Sequence, residues 1–367
     1  MSHTNLLGNY VRCYIGYSND ERIRWHGSSG GLVTSILIFA LEQGFIDGAV
    51  VTRMSRTNPL VPETFIARSK DEILSARGSK YCPVPVKQVR KAMEEITSQR
   101  GKYAVVGLPC HMRAIRKAES LDERLKDRIL LHIGLFCSHT VNFSGTKVLL
   151  KRIGVRPEDV LEFRYRGGGW PGNLSVTLKD GSLRSCPFFD YWGTLFTSFF
   201  FTPRSCMFCS DALNELADIS LGDAWLPELK RKDKVGTSVV ISRTFLGEET
   251  LRRAREIIQL HKISVKDVVR SQWAGLFFKK KSLQIRKHIL LKRMSSKEVF
   301  SSIRSNPLIL LCATLQLLGM KLSENKGFQS LLVYIPHKLL KLYSIIVGGF
   351  QYLSWCTEEK ECLEFTS

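Results

Sequence analysis

Between Ser29 and Phe136 amphipathic and uniformly apolar stretches take turns. After Gly30-Gly31 the apolar residues Leu32, Val33, Ile36, Leu37, Phe39 and Ala40 recur at helical spacing, Gly44 follows, and Ala49-Val50-Val51 reads as a strand. Pro85 to Gln99 predicts a second helix and Tyr103 to Gly107 a buried strand ending on glycine. Met112 to Ala118 predicts a third helix and Ile129 to Phe136 a third strand. Such alternation predicts an α/β (α+β) chain in which helices pack against a sheet. Past residue 150 the texture changes: a Gly- and Trp-containing loop at Arg164–Asn173, short strands at Leu174–Leu178 and Ser238–Ser242, and a hairpin turn at Asp180-Gly181. The expected order is an N-terminal sheet with packed helices (1–150), a β-rich, loop-rich second half (151–250) and a basic, helical, partly apolar tail (251–367).

Cysteine spacing narrows the chemistry. The chain has ten cysteines, and Met1 to Asp20 is polar and mixed, without the apolar core of a secretory signal. The expectation is a cytoplasmic protein with reduced thiols, where cysteines serve as apolar side chains, metal ligands or catalytic groups. Cys206-Met-Phe-Cys209 has the spacing of zinc and iron–sulfur sites, and also of redox dithiols. Cys110 and Cys137 each follow a predicted strand, at the carboxyl edge where ligands of α/β sheets collect. Together these make four ligands, and zinc would accept them as readily as iron. Cys13, Cys82, Cys186, Cys312, Cys356 and Cys362 lack such a setting, with Cys82 a candidate to line a pocket.

A second signal is Arg24-Trp-His-Gly-Ser-Ser-Gly-Gly31, which puts small residues and backbone N–H groups at a helix start. It suits a pyrophosphate, with Gly30 where backbone would approach it, and it equally suits a capped helix after a tight turn. The net charge of +20 is concentrated: from Glu228 to Arg304 twenty Lys/Arg stand against seven Asp/Glu. Lys279-Lys-Lys281 with Arg286, Lys287, Lys292 and Arg293 could meet an acidic protein or an anionic membrane, or form a solvated helix face. Two tail stretches, Pro307–Met320 and Leu340–Trp355, fall short of the length needed to span a bilayer and predict packed or interfacial helices.

Ser28-Ser-Gly-Gly-Leu-Val-Thr34, Gly44-Phe-Ile-Asp-Gly48, Gly78-Ser-Lys-Tyr81, Gly107-Leu-Pro-Cys110, Gly134-Leu-Phe-Cys-Ser-His139, Tyr165-Arg-Gly-Gly-Gly-Trp-Pro-Gly172, Cys206-Met-Phe-Cys209 and Ala217-Asp-Ile-Ser-Leu-Gly-Asp-Ala-Trp225 occur in that order. From about residue 10 to about residue 245 the chain resembles the beta subunit of coenzyme F420-reducing hydrogenases and dehydrogenases, a family that includes hydroxymethyl chlorophyll reductases. The resemblance implies an oxidoreductase with FAD and a [4Fe–4S] cluster. Its cluster ligands would be Cys110, Cys137, Cys206 and Cys209, and its flavin contacts would lie at Ser28, Ser29, Gly30, Gly31, Gly78, Ser79, Lys80 and Tyr81. Asp223 and Trp225 would shape the pocket or serve as a turn and a core residue. Cys13 stands alone where many relatives carry a ferredoxin-like cysteine segment, so a second cluster is not expected.

The reading that follows is electron flow from a donor protein, such as a ferredoxin or a hydrogenase/dehydrogenase subunit, through the cluster to FAD. Hydride would then pass to coenzyme F420 or another unsaturated small molecule. His26 and His139 are the candidate general acids, and neither can be assigned. The basic tail leaves peripheral membrane contact open, and no nucleic-acid motif is present. Two alternatives stand beside this reading: a zinc-stabilised, basic nucleic-acid-binding protein, and a non-catalytic electron-transfer adaptor linked to polysaccharide metabolism.

Overall fold

A computed structural model describes residues 6–291, 301, 303–304 and 306–358. The strands among them are β1 Arg12–Ser18, β2 Gly48–Met54, β3 Pro62–Ala67, β4 Tyr103–Gly107, β5 Ile129–Leu135, β6 Val160–Arg164, β7 Asn173–Leu178, β8 Leu183–Pro187, β9 Ile219–Asp223, β10 Ser238–Ser242 and β11 Ile258–Lys262. Eight of them form one sheet in the order β11-β1-β10-β9-β5-β4-β2-β3. Its centre, β2-β4-β5-β9, is parallel. Antiparallel pairs complete both sides. The α/β class expected from the alternation is the class observed.

Successive residues of a strand face opposite sides, and the core divides accordingly. Ala49 and Val51, Ala104, and Leu131 and Ile133 pack with the helix Leu32–Glu42 on one face. Val50, Tyr103, Val105 and Ile129 pack on the other with Ala92, Met93 and Ile96 of the helix Val86–Ser98 and with Met112 and Ile115 of the helix Pro109–Glu119. Strands covered on both faces favour apolar residues at nearly every position, which is why these read as near-continuous runs.

The chain groups into two compact units: Met1–Cys137 with Val160–Ser185 and Asp211–Gln272, and Ser138–Asp159 with Cys186–Ser210 and Trp273–Ser367. This interleaves the chain, whereas composition suggested the consecutive segments 1–150, 151–250 and 251–367. The physical reason lies in β9, whose Ile219–Leu221 pair in parallel with Ile133–Leu135, so that later strands extend the first sheet. A second sheet, β6-β7-β8, is small. Its β7–β8 turn holds Gly181 at φ +82, with the Leu178 N–H donating to the Ser182 carbonyl at 2.8 Å.

The second unit is helical. Phe143–Arg152, Trp192–Thr197, Leu308–Glu324, Lys326–Tyr334 and His337–Glu358 are its main helices. Phe199, Met207, Phe278, Leu317, Met320 and Val347 form a buried cluster within it. Both apolar tail stretches are helices that bury part of their surface, through Ile309, Cys312, Leu317 and Met320 in one and Leu340, Val347 and Trp355 in the other. Among the described residues no single helix is long and apolar enough to cross a membrane. Lys326–Tyr334 and His337–Thr357 meet that test only as a pair, bent by 115°.

Candidate functional site

The two loops expected to meet a flavin are joined in the first unit. The Ser28 hydroxyl accepts the Ser79 N–H at 2.7 Å, bringing the start of the Leu32–Glu42 helix against Gly78–Tyr81. Ser29 Oγ donates to the Thr237 carbonyl at 2.9 Å and lies 2.9 Å from Ser238 Oγ, which fixes the first loop to β10. Gly30 is required by packing: a Cβ there would sit 2.5 Å from the Gly16 carbonyl oxygen and 3.0 Å from the Ser238 nitrogen. Gly31 has φ +74 and Gly78 φ +83, in the left-handed region that favours glycine.

Lys80 has a local task. Its ammonium donates to the carbonyls of Ala76, Arg77 (3.2 Å) and Gly78 (2.8 Å), and burial pulls its pKa down to about 7. It therefore braces the loop from within. Arg166, buried, forks onto Asp223 at 2.6 and 3.0 Å and donates to the Tyr81 hydroxyl at 3.2 Å. Trp170 Nε1 also donates to Asp223 at 2.6 Å, so this carboxylate ties the Tyr165–Gly172 loop to the end of β9. Trp225 packs on Trp170, with ring centres 4.8 Å apart.

Positive charge gathers beside the loops. Arg77 has no carboxylate within ion-pair distance among the described residues. Burial, and then Arg164 close by, lowers its pKa; burial, Arg77 and Arg164 lower that of His26. Like charges crowded next to a helix start fit an anionic ligand such as a pyrophosphate.

The strand-end thiols come from a single register. Gly107 of β4 is paired with Gly134 of β5, and each chain reaches its cysteine three residues later. Cys110 is exposed in the first turn of the helix Pro109–Glu119, and the Cys137 N–H donates to the Ala212 carbonyl at 2.9 Å. Cys206 and Cys209 stand in and just after a 3-10 turn, Arg204–Phe208, of the second unit. Among the described residues no group of three or more His, Cys, Asp and Glu side chains is arranged to hold a metal ion.

The surroundings of Cys206 and Cys209 depart from the surface face expected of the basic segment. Lys279 is 1% exposed and Arg286 is 0% exposed. A π-helical turn, Phe277–Lys281, directs Phe277, Phe278 and Lys279 inward together. Lys279 Nζ donates to the Cys206 carbonyl at 3.4 Å, and an Arg286 terminal nitrogen donates to the Met207 carbonyl at 3.4 Å. Arg286 also contacts Ser282 Oγ (2.5 Å) and Gln316 Oε1 (3.0 Å) and stacks over Phe278 at 3.9 Å. Burial lowers its pKa to about 9, an effect Cys209 opposes. Neither cation has a carboxylate partner among the described residues. Lys292 and Arg293, and also Cys362, lie outside those residues.

His139 is unsuited to acid catalysis. It lies between Phe196 (3.8 Å, stacked) and Phe199 (4.8 Å), with Nε2 3.1 Å from the Phe196 carbonyl and Nδ1 3.2 Å from Ser138 Oγ. Burial, then Lys279 and Arg286, push its pKa to about 3, so it stays neutral.

The profile for the coenzyme F420 hydrogenase/dehydrogenase beta subunit N-terminal region matches residues 13–91, and that for the C-terminal region of the same subunit matches residues 100–267. This chain belongs to that family. The family is one of oxidoreductases. The coenzyme F420 hydrogenase subunit beta of Methanosarcina barkeri is 29% identical over 68% of this chain and 80% of its own length. The coenzyme F420-dependent sulfite reductase of Methanocaldococcus jannaschii is 28% identical over 65% of this chain and 36% of its own length. A chain of the F420-reducing [NiFe] hydrogenase complex from Methanosarcina barkeri superposes with a TM-score of 0.59 at 26% identity, covering 77% of this chain and 94% of that one.

For a member of this family, sequence reasoning missed Arg77, Arg166, Lys279 and Arg286. Arg166 lies inside a motif that reads as a glycine loop, and Arg77 directly precedes one. Lys279 and Arg286 fall beyond the matched residues, in a run that reads as a charged surface for a partner, a membrane or solvent.

Proposed function

We propose that this chain is an iron–sulfur flavoprotein oxidoreductase. FAD would be held through Ser28–Gly31 and Gly78–Tyr81, and a [4Fe–4S] cluster would be carried on Cys110, Cys137, Cys206 and Cys209. When bound, the flavin supplies two-electron chemistry and the cluster one-electron chemistry, and the protein contributes position and electrostatics. The observation that carries the reading is the Ser28–Ser79 hydrogen bond. It unites two glycine loops distant in sequence beside Arg77, a cation with no ion pair among the described residues, in a chain of this family.

The protein's own part follows from its donors and charges. Ser28 and the N–H groups at the start of the Leu32–Glu42 helix would bind and orient phosphate oxygens, with Arg77 neutralising them. Lys80 keeps the second loop in shape, and the Arg166–Asp223 pair fixes the Tyr165–Gly172 loop. The donor set of the second site, two thiols beside two buried cations, fits an anionic iron–sulfur group. The relatives' names support coenzyme F420 as the acceptor, and their being hydrogenase subunits supports a protein electron donor. In this reading the protein works in the cytoplasm, where thiols stay reduced.

Anaerobic purification tests the proposal. Wild type should carry FAD, iron and acid-labile sulfide. Arg77→Met should weaken FAD binding about tenfold or more, and Cys206→Ser should lose most of its iron. A colourless protein holding zinc, or full FAD affinity in Arg77→Met with full iron in Cys206→Ser, would refute it.

A further inference from the structure

We propose that Lys279 and Arg286 form a buried cationic wall for the metal group carried on Cys206 and Cys209 and raise its reduction potential. The inference rests on the cluster reading above and extends it to a part of the chain outside the family match, which ends at residue 267.

Three observations converge. Each cation is essentially without solvent, at 1% and 0% exposure. Each grips the backbone of the cysteine segment, at consecutive carbonyls, Cys206 and Met207. Among the described residues neither has a carboxylate partner, and Arg286 Nε has no hydrogen-bond partner. Phe278, Ser282 and Gln316, which also touch them, are neutral.

An unpaired buried cation is costly, and two within one segment of a protein core call for an anion. The only described side chains there that become anionic on binding a metal are the two thiols. A [4Fe–4S] core on four thiolates is an anion before it accepts one electron from a donor and more strongly so afterwards. Fixed positive charge in a medium that screens poorly therefore favours the reduced state. The π-helical turn supplies the means, because it turns Lys279 inward together with Phe277 and Phe278.

The test uses the full chain with its cluster reconstituted anaerobically, titrated with dithionite and followed by electron paramagnetic resonance. Lys279→Met keeps the volume and removes the charge. It should disfavour the reduced cluster about tenfold, which for a one-electron couple is about 59 mV more negative. Lys279→Arg should return the potential to within about twofold of wild type. Lys280→Met, next to it and partly exposed, should move it less than about twofold. Arg286→Met should act in the same direction as Lys279→Met; if it does not fold, the Lys279 series decides. An unchanged potential in Lys279→Met, or an equal shift in Lys280→Met, overturns the inference while leaving the cluster in place. If Cys206→Ser and Cys209→Ser both retain full iron, the cluster reading itself falls and the inference with it.

Discussion

Gly30 and Asp223 separate what a residue's type announces from what its position requires. The Ser-Ser-Gly-Gly loop was legible in the sequence, because small residues before a helix start have few other uses. The reason for Gly30 was not legible: the atoms that exclude a side chain are the Gly16 carbonyl and the Ser238 nitrogen, on strands fourteen residues before and more than two hundred after. Backbone atoms of a paired sheet cannot move aside. Gly30→Val should therefore destabilise the fold by about 3 kcal/mol or more, measured as a lowered urea midpoint in protein stripped of cofactor. Asp223 likewise reads as a turn residue until Arg166 and Trp170 are seen to depend on it. Asp223→Ala would take the carboxylate away from a buried guanidinium at a cost of about 3–5 kcal/mol, again in urea. An unchanged midpoint in either variant would contradict this reading of its position.

At the scale of elements, β4 and β5 were legible within a residue because both faces are covered and their runs are apolar but for His132. β1 and β11 were not, since Arg12–Ser18 and Ile258–Lys262 mix polar and apolar residues and gain their strand form from pairing with each other. His132 shows what an apolar strand conceals. It is 2% exposed, with Nδ1 3.0 Å from Asp218 and Nε2 2.5 Å from Glu119, while Arg116 bridges both carboxylates at 3.4 and 3.2 Å. Burial disfavours its charged form, yet the two carboxylates outweigh burial and raise its pKa. A raised folded pKa stabilises fully below the ordinary histidine value of about 6.5 and loses that contribution as pH climbs through the higher value. The stability difference between wild type and His132→Gln should thus be largest near pH 6 and shrink on going to alkaline pH. A difference that grows with pH would show that the imidazole is held neutral.

Across the whole molecule, the division into units was hidden because the second unit is collected from three separate stretches, and no local period marks their meeting. The charge was visible but its direction was not. Lys279 and Arg286 point into the second unit, while Lys280 and Lys281 stay partly exposed. The net +20 still acts at long range. Reduction by an acidic protein donor should slow steeply between low salt and about 1 M, where the Debye length is about 3 Å, while reduction by dithionite through the same cofactors should change little. Equal salt dependence for both donors would remove the electrostatic contribution to partner encounter.

The insertion of β9 beside β5 has a consequence for how this protein is made. As the chain leaves the ribosome, β2 to β5 appear early, but β5 keeps an unpaired edge until β9 has been synthesised, roughly ninety residues later. At about 5–20 residues per second, that edge waits roughly 5 to 18 s. The thiol of Cys137, two residues beyond β5, waits with it. The peptide containing Cys206 and Cys209 emerges well before Phe278, Lys279 and Arg286, which later enclose it. The half-made chain therefore leaves these thiols more open to oxidation than the finished one does.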